Sequence, residues 1–159
     1  MSASPSPMAA RDKMLATETM TRTLAGQIAD LAEPGDLIAL WGDLGSGKTA
    51  FARGLITALT GETEVPSPTF SLVQTYDAPA FVIWHFDLYR LDQPRDVLEL
   101  GFDDALNDDL VLVEWPERLG DYLPGDRLDL RFRLVAAGGR FVRLEAHGSW
   151  VERLNALPT

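Results

Sequence analysis

The chain has 159 residues, 46% hydrophobic and 24% charged, with a net charge of −10 and no cysteine. That length suits one compact domain with a real core, and the composition excludes a fibrous or wholly disordered chain. The missing cysteines exclude disulfides, thiol nucleophiles and zinc–thiolate sites and fit a reducing cytosol. The acidic balance argues against strong autonomous binding to a nucleic-acid backbone; it reads as solubility or as an acidic face for a basic partner.

In chain order, residues 1–13 are small, polar and Pro-rich with no apolar segment behind them, so they read as a flexible tail and not as a secretory signal. Residues 14–159 read as a single domain. Met20, Leu24, Ile28 and Leu31 recur near helical spacing, Thr17 is placed to cap that helix, and Glu33-Pro34-Gly35 ends it. The apolar run 37–41 reads as a buried strand, and Lys48 to Leu59 as a helix closed by Gly61. Pro66 and Pro68 force a loop, after which 70–76 and 81–86 read as strands. A helix is expected over 96–106 and a second fully apolar strand over 110–113, ending at Glu114. Leu128, Leu130, Phe132 and Leu134 alternate with polar residues and, with 141–144 beyond Gly138-Gly139, predict an antiparallel hairpin. A short helix over 149–157 completes an α/β, three-layer P-loop nucleotide-binding fold: a mixed sheet with parallel core strands and added antiparallel hairpins. The apolar runs are far short of a bilayer span, so no membrane partner is expected and the location reads as cytoplasmic.

Gly42, Asp43, Leu44, Gly45, Ser46, Gly47, Lys48 and Thr49 fit the G-x-x-x-x-G-K-[ST] phosphate loop, with Ala50 next in the helix it opens. Glycines let successive N–H groups turn toward anionic oxygens, and the helix adds its positive dipole end. Lys48 would bridge the β- and γ-phosphates, and the Thr49 hydroxyl would supply a magnesium ligand. A magnesium site of this kind needs a second acid at the end of a neighbouring core strand, and Glu114 occupies that place. No Asn-Lys-x-Asp guanine reader occurs, since Asn107-Asp108-Asp109 lacks the lysine, so ATP is the expected nucleotide.

The segment Trp84-His85-Phe86-Asp87-Leu88-Tyr89-Arg90 sets polar groups among aromatics. On a strand, His85, Asp87 and Tyr89 share one face. Asp87 could orient the attacking water or bind magnesium through water, and His85 could position Asp87 or sense the γ-phosphate; a buried structural network is the other reading. His147, at a hairpin end, reads as structural. Ser67-Pro68-Thr69-Phe70 stands where a loop reporting the γ-phosphate would follow the first nucleotide-binding helix, or forms a rigid turn.

Over roughly residues 17–143 the chain resembles the TsaE family, the small ATPases of bacterial tRNA threonylcarbamoyladenosine biosynthesis. The resemblance rests on Trp41-Gly-Asp-Leu-Gly-Ser-Gly-Lys-Thr49, Ser67-Pro-Thr-Phe70, His85-Phe-Asp-Leu-Tyr-Arg90 and Leu112-Val-Glu-Trp-Pro116. The first is common to P-loop proteins; the other three, in that order and spacing, are specific. The resemblance implies an ATP- and Mg2+-dependent accessory ATPase that joins TsaD and TsaB, slow alone and activated by them. TsaD transfers the threonylcarbamoyl group to adenosine 37 of tRNA, so tRNA is met only through the complex. It further implies magnesium ligands at Thr49 and Glu114, catalytic roles for Lys48 and Asp87, and Trp115 beside the metal site. Base contacts are implied at Glu18, Thr21, Gly139 and Arg140. Two other functions fit the phosphate loop: a small-molecule kinase using Asp87 as base, and a nucleotide-sensing module that does not hydrolyse.

Overall fold

The computed structural model of the protein describes residues 8–68 and 70–158. Its elements run β1 (Met8–Leu15), α1 (Glu18–Ala29), β2 (Leu37–Trp41), α2 (Lys48–Thr60), β3 (Val73–Asp77), β4 (Val82–Asp87), α3 (Phe102–Asp108), β5 (Leu110–Glu114), β6 (Arg127–Leu134), β7 (Arg140–His147) and α4 (Trp150–Asn155). Two 3₁₀ segments, Pro94–Leu100 and Pro116–Tyr122, fill the connections around β5.

The strands form one sheet in the order β1-β7-β6-β2-β5-β4-β3. β6, β2, β5 and β4 run parallel to one another, while β1, β7 and β3 join antiparallel. Apolar residues on both faces of the central strands explain why helices cover both sides. Ile38, Leu40, Leu110, Leu112, Leu128 and Leu130 face one core with Leu24, Phe51 and Leu55 of α1 and α2. Leu37, Ala39, Val111 and Val113 face a second core with Phe102 of α3 and Leu119. The period-two alternation along β2 thus divides the protein into three layers.

The expected elements appear with four corrections. Residues 8–13 are not a flexible tail: Met8–Leu15 pairs along the whole of β7. This edge strand carries no apolar period because Arg11 and Lys13 occupy its inward positions and donate to the carbonyls of Leu157 and Pro158 at 2.5 and 2.9 Å. Residues 1–7 lie outside the described chain. The helix expected over 96–106 is two pieces, a 3₁₀ segment and α3, parted at Gly101, where Trp84 packs against the backbone. β3 starts at Val73 and not at Phe70, because Leu72 takes a left-handed conformation and its N–H closes a turn onto the Pro68 carbonyl at 2.8 Å. β6, expected only in a hairpin, also extends the parallel core beside β2.

Candidate active site and nucleotide cavity

Ligands of a parallel sheet collect at the carboxyl ends of its strands. β2 ends at Trp41 and turns through residues 42–47 into α2; β5 ends at Glu114; β4 ends at Asp87. Glu114 and Asp87 are register partners, which sets both carboxylates side by side beyond the phosphate loop. Gly42, at φ 140°, has no room for a side chain: a Cβ would lie 2.6 Å from Ser46 Oγ and 2.7 Å from the Phe132 carbonyl. The loop is therefore drawn tight against β6 before α2 opens toward the cavity.

Thr49, in the first turn of α2, donates its hydroxyl to Glu114 Oε1 at 3.1 Å. The other oxygen, Oε2, is 2.8 Å from His85 Nε2, and both residues are buried. An ionised carboxylate only accepts, so the proton sits on His85 Nε2, and Nδ1 is left buried without a partner. Burial pulls the Glu114 pKa upward, but the bonds from His85 and Thr49 and the Lys48 charge outweigh it and hold the group below its ordinary value. Asp87 is raised, chiefly by burial and then by the Glu114 charge, against the Tyr89 N–H that donates to its Oδ1 at 3.2 Å.

His85 thus positions Glu114 and not Asp87, which corrects one sequence expectation. Tyr89 corrects another: it lies past the end of β4, and its ring packs on Trp115 with centroids 5.0 Å apart. Trp115 follows Glu114 in a left-handed conformation, φ 61° and ψ 51°, uncommon for a bulky residue. Its ring centroid lies 3.5 Å from Lys48 Nζ. That ammonium is buried and has no hydrogen-bond partner among the described residues, and burial lowers its pKa against the pull of Glu114, Glu117, Asp87 and Asp43.

Two cavities flank the loop. One, of about 310 Å³, is lined by Leu44, Lys48, Ser67, Asp87, Glu114 and Trp115 among others. The second, of about 650 Å³, lies between α1, α2 and the tip of the β6–β7 hairpin, and Glu18, Thr21, Gly139 and Arg140 all line it. The four residues implied as base contacts are therefore gathered around one space, although the sequence separates them by more than a hundred positions.

A family model described as threonylcarbamoyl adenosine biosynthesis protein TsaE matches residues 15–140. The chain belongs to the TsaE family. It is 38% identical over 149 residues to a tRNA threonylcarbamoyladenosine biosynthesis protein TsaE of Rickettsia felis, covering 91% of this chain and 87% of that one. The Bacillus subtilis protein of the same name is 33% identical over 135 residues, 84% of each chain. The crystal structure of Bacillus subtilis YdiB superposes with a TM-score of 0.76 at 27% identity, covering 97% of this chain and 95% of that one. Membership of the TsaE family ties the chain to tRNA threonylcarbamoyladenosine biosynthesis and to P-loop nucleotide binding. Among the described residues no helix is long and apolar enough to cross a membrane.

His147 bonds Asp129 Oδ2 at 3.0 Å, and Asp129 Oδ1 also accepts from Trp41 Nε1 and Arg127 Nε. Asp129, Glu145 and His147 come close together, but arginines and Trp41 already occupy the carboxylates. Arg53, one turn into α2, donates to the Val65 carbonyl at 2.9 Å. The sequence reading missed two relationships: Lys48 resting on Trp115, and Arg140 lying against the phosphate loop. Neither has a local signal, because each joins residues far apart in the chain. Thr69, expected within a reporting loop, lies outside the described residues; Ser67 lines the smaller cavity.

Proposed function

We propose that this chain is a magnesium-dependent ATPase that serves tRNA threonylcarbamoyladenosine biosynthesis in the cytoplasm as an accessory of TsaB and TsaD. The observation that carries the reading is the convergence of Lys48, Thr49, Glu114 and Asp87 on one cavity beside a phosphate loop. The larger cavity has room for the nucleoside, and the absence of a guanine-reading motif favours adenine.

The residues fit a magnesium ion. Thr49 and Glu114 offer hard oxygen donors 3.1 Å apart, and Lys48 Nζ is a buried cation with no hydrogen-bond acceptor. Thr49 and Glu114 would hold the ion, which when bound would neutralise charge on the β- and γ-phosphates. His85 keeps Glu114 ionised and aimed. Lys48 leaves the Trp115 face for the phosphates. Asp87, raised in pKa yet lining the same cavity, orients a water and accepts its proton.

Partner dependence is supported by the cavity rim. Leu44 and Tyr89 line it and are 70% and 44% exposed, an apolar edge suited to a protein surface. Contact with tRNA would then be indirect, as the net charge of −10 also suggests. The test is phosphate release by the chain alone, with TsaB, with TsaD and with both. The expected result is slow turnover alone and a rise with both. Equal turnover in all four, with no ATP-dependent complex on a sizing column, overturns the reading in favour of a kinase or a sensing module.

A further inference from the structure

The sheet is covered unevenly. Leu128, Leu130 and Phe132 of β6 and Val142, Leu144 and Ala146 of β7 face the core shared with α1 and α2. The second core, with Phe102 of α3 and Leu119, takes no residue from β6, β7 or β1. The alternate, outward positions of these three strands therefore form a face without a covering layer. Its two end rows set Arg131 beside Arg143 and Asp12, and Arg133 beside Phe141 and Met14.

The whole chain carries 24 acidic residues against 14 basic ones. This face reverses the balance: Arg127, Arg131, Arg133 and Arg143 stand against Asp12, Asp129 and Glu145. Asp129 is buried and already taken by Trp41, Arg127 and His147. Glu145 is shared by Arg131 and Arg143, and Arg143 also reaches Asp12 at 3.2 Å. Arg133 is exposed, and among the described residues no carboxylate pairs with it. Solvation of an outer sheet face asks for polar residues, not for a surplus of one charge.

Two of these arginines are held in place by aromatic rings. The Arg131 guanidinium lies 4.4 Å from the Trp41 ring centre, and that of Arg133 lies 4.5 Å from the Phe141 ring centre. A ring beneath a guanidinium limits its freedom and leaves N–H donors for an acceptor. Residues two apart on one strand stand about 6.7 Å apart on the same face. Carboxylates two apart on an extended segment match that spacing.

We propose that this uncovered face, centred on Arg131 and Arg133, docks an acidic segment of a partner protein. The docking face extends the partner-dependent reading and rests on it, at residues separate from the Leu44 and Tyr89 rim. A protein segment needs only a few carboxylates, which a few arginines match in paired, charge-assisted bonds. A nucleic acid carries a charge at every phosphate, and beyond this patch a chain of net charge −10 repels it. The face is also tied to the phosphate loop. Trp41 directly precedes Gly42, and Phe132, between the two arginines, sets its carbonyl 2.7 Å from the place a Gly42 Cβ would take.

The experiment measures binding of the TsaB–TsaD pair, of oligoglutamate and of oligouridylate to the full chain. It compares wild type, Arg133→Glu, Arg133→Lys and Arg95→Glu, with thermal melts as a fold check. Arg95 is exposed and lies away from this face, in the 3₁₀ segment before α3, so its reversal changes net charge equally. Arg133→Glu should weaken the TsaB–TsaD pair by about tenfold or more. Arg133→Lys, which keeps the charge, should lose less, and Arg95→Glu should stay near wild type. Equal losses for Arg133→Glu and Arg95→Glu, or unchanged affinity in Arg133→Glu, would overturn the proposal. Oligouridylate binding that Arg133→Glu abolishes would overturn it in favour of an RNA surface. Should Arg133→Glu melt far below wild type, Arg133→Gln takes its place under the same criteria. A wild type that ignores the TsaB–TsaD pair defeats the reading of those partners. Oligoglutamate then decides the docking face alone: it should bind wild type and Arg95→Glu more tightly than Arg133→Glu, and no such difference refutes the face.

Discussion

The Lys48 ammonium rests 3.5 Å from the centre of the Trp115 ring, buried and, among the described residues, without a hydrogen-bond acceptor. A buried cation held only by a ring face is costly to desolvate and is poorly compensated. Phosphate oxygens are a better partner, so nucleotide should draw Lys48 away. We expect Trp115 emission to change on ADP addition, read as the wild-type signal minus that of Trp115→Phe. Lys48→Ala should lose roughly 1.5–3 kcal/mol of nucleotide affinity. Its melting temperature without nucleotide should be equal or higher, because a desolvated charge is gone. A lower melting temperature would mean that the ring contact stabilises the fold.

Glu114 joins Thr49 to His85. Glu114→Ala leaves His85 buried with neither ring nitrogen paired, at a stability cost of about 1–3 kcal/mol. Glu114→Gln keeps an oxygen for one partner and should cost less. If Glu114 also holds magnesium, both variants weaken nucleotide binding more in magnesium than in EDTA. Equal weakening in the two conditions would restrict Glu114 to positioning Thr49.

Asp87→Asn preserves the size of the side chain and an oxygen for the Tyr89 N–H while removing charge and basicity. We expect nearly normal ATP affinity and hydrolysis slower by about 10²–10⁴-fold, the range of a lost general base. A drop in melting temperature without a specific loss of turnover would make Asp87 structural.

Glu145 supplies a pH signature away from the site. Burial draws its carboxyl upward, but bonds from Arg131 and Arg143 prevail and hold it below its ordinary 4.5. The folded state thus favours the ionised form. Its contribution to stability is complete above the unfolded value and is lost as pH falls through the lower folded one. Glu145→Gln should therefore destabilise the protein at neutral pH and match wild type in strong acid. Denaturant midpoints across that range check the sign; a constant difference between the two proteins would refute it.

Much of the site is legible in the sequence. The phosphate loop is read from contiguous residues because its chemistry is local: six positions turn the backbone, and Lys48 and Thr49 follow at once. β2 and β5 are read as readily, since a strand covered on both faces must be apolar throughout. From those two facts Glu114 falls at the strand end beside Thr49, where it is found.

What the sequence by itself determined is therefore whatever depends on neighbours in the chain: the loop, the parallel core strands, the caps of α1 and α2, and the family motifs. Tertiary structure alone decided the rest. β1 is a strand only because β7 offers a free edge and the last carbonyls accept from Arg11 and Lys13. His85 serves Glu114 and not Asp87 because parallel β4 and β5 set Leu112 opposite His85 and bring the side chains together at the strand ends. Arg140 reaches Gly47 because Gly139 lets two distant backbones touch. Each of these joins residues with no fixed separation in sequence. A periodic or spaced pattern carries no record of such contacts; only the packed sheet creates them.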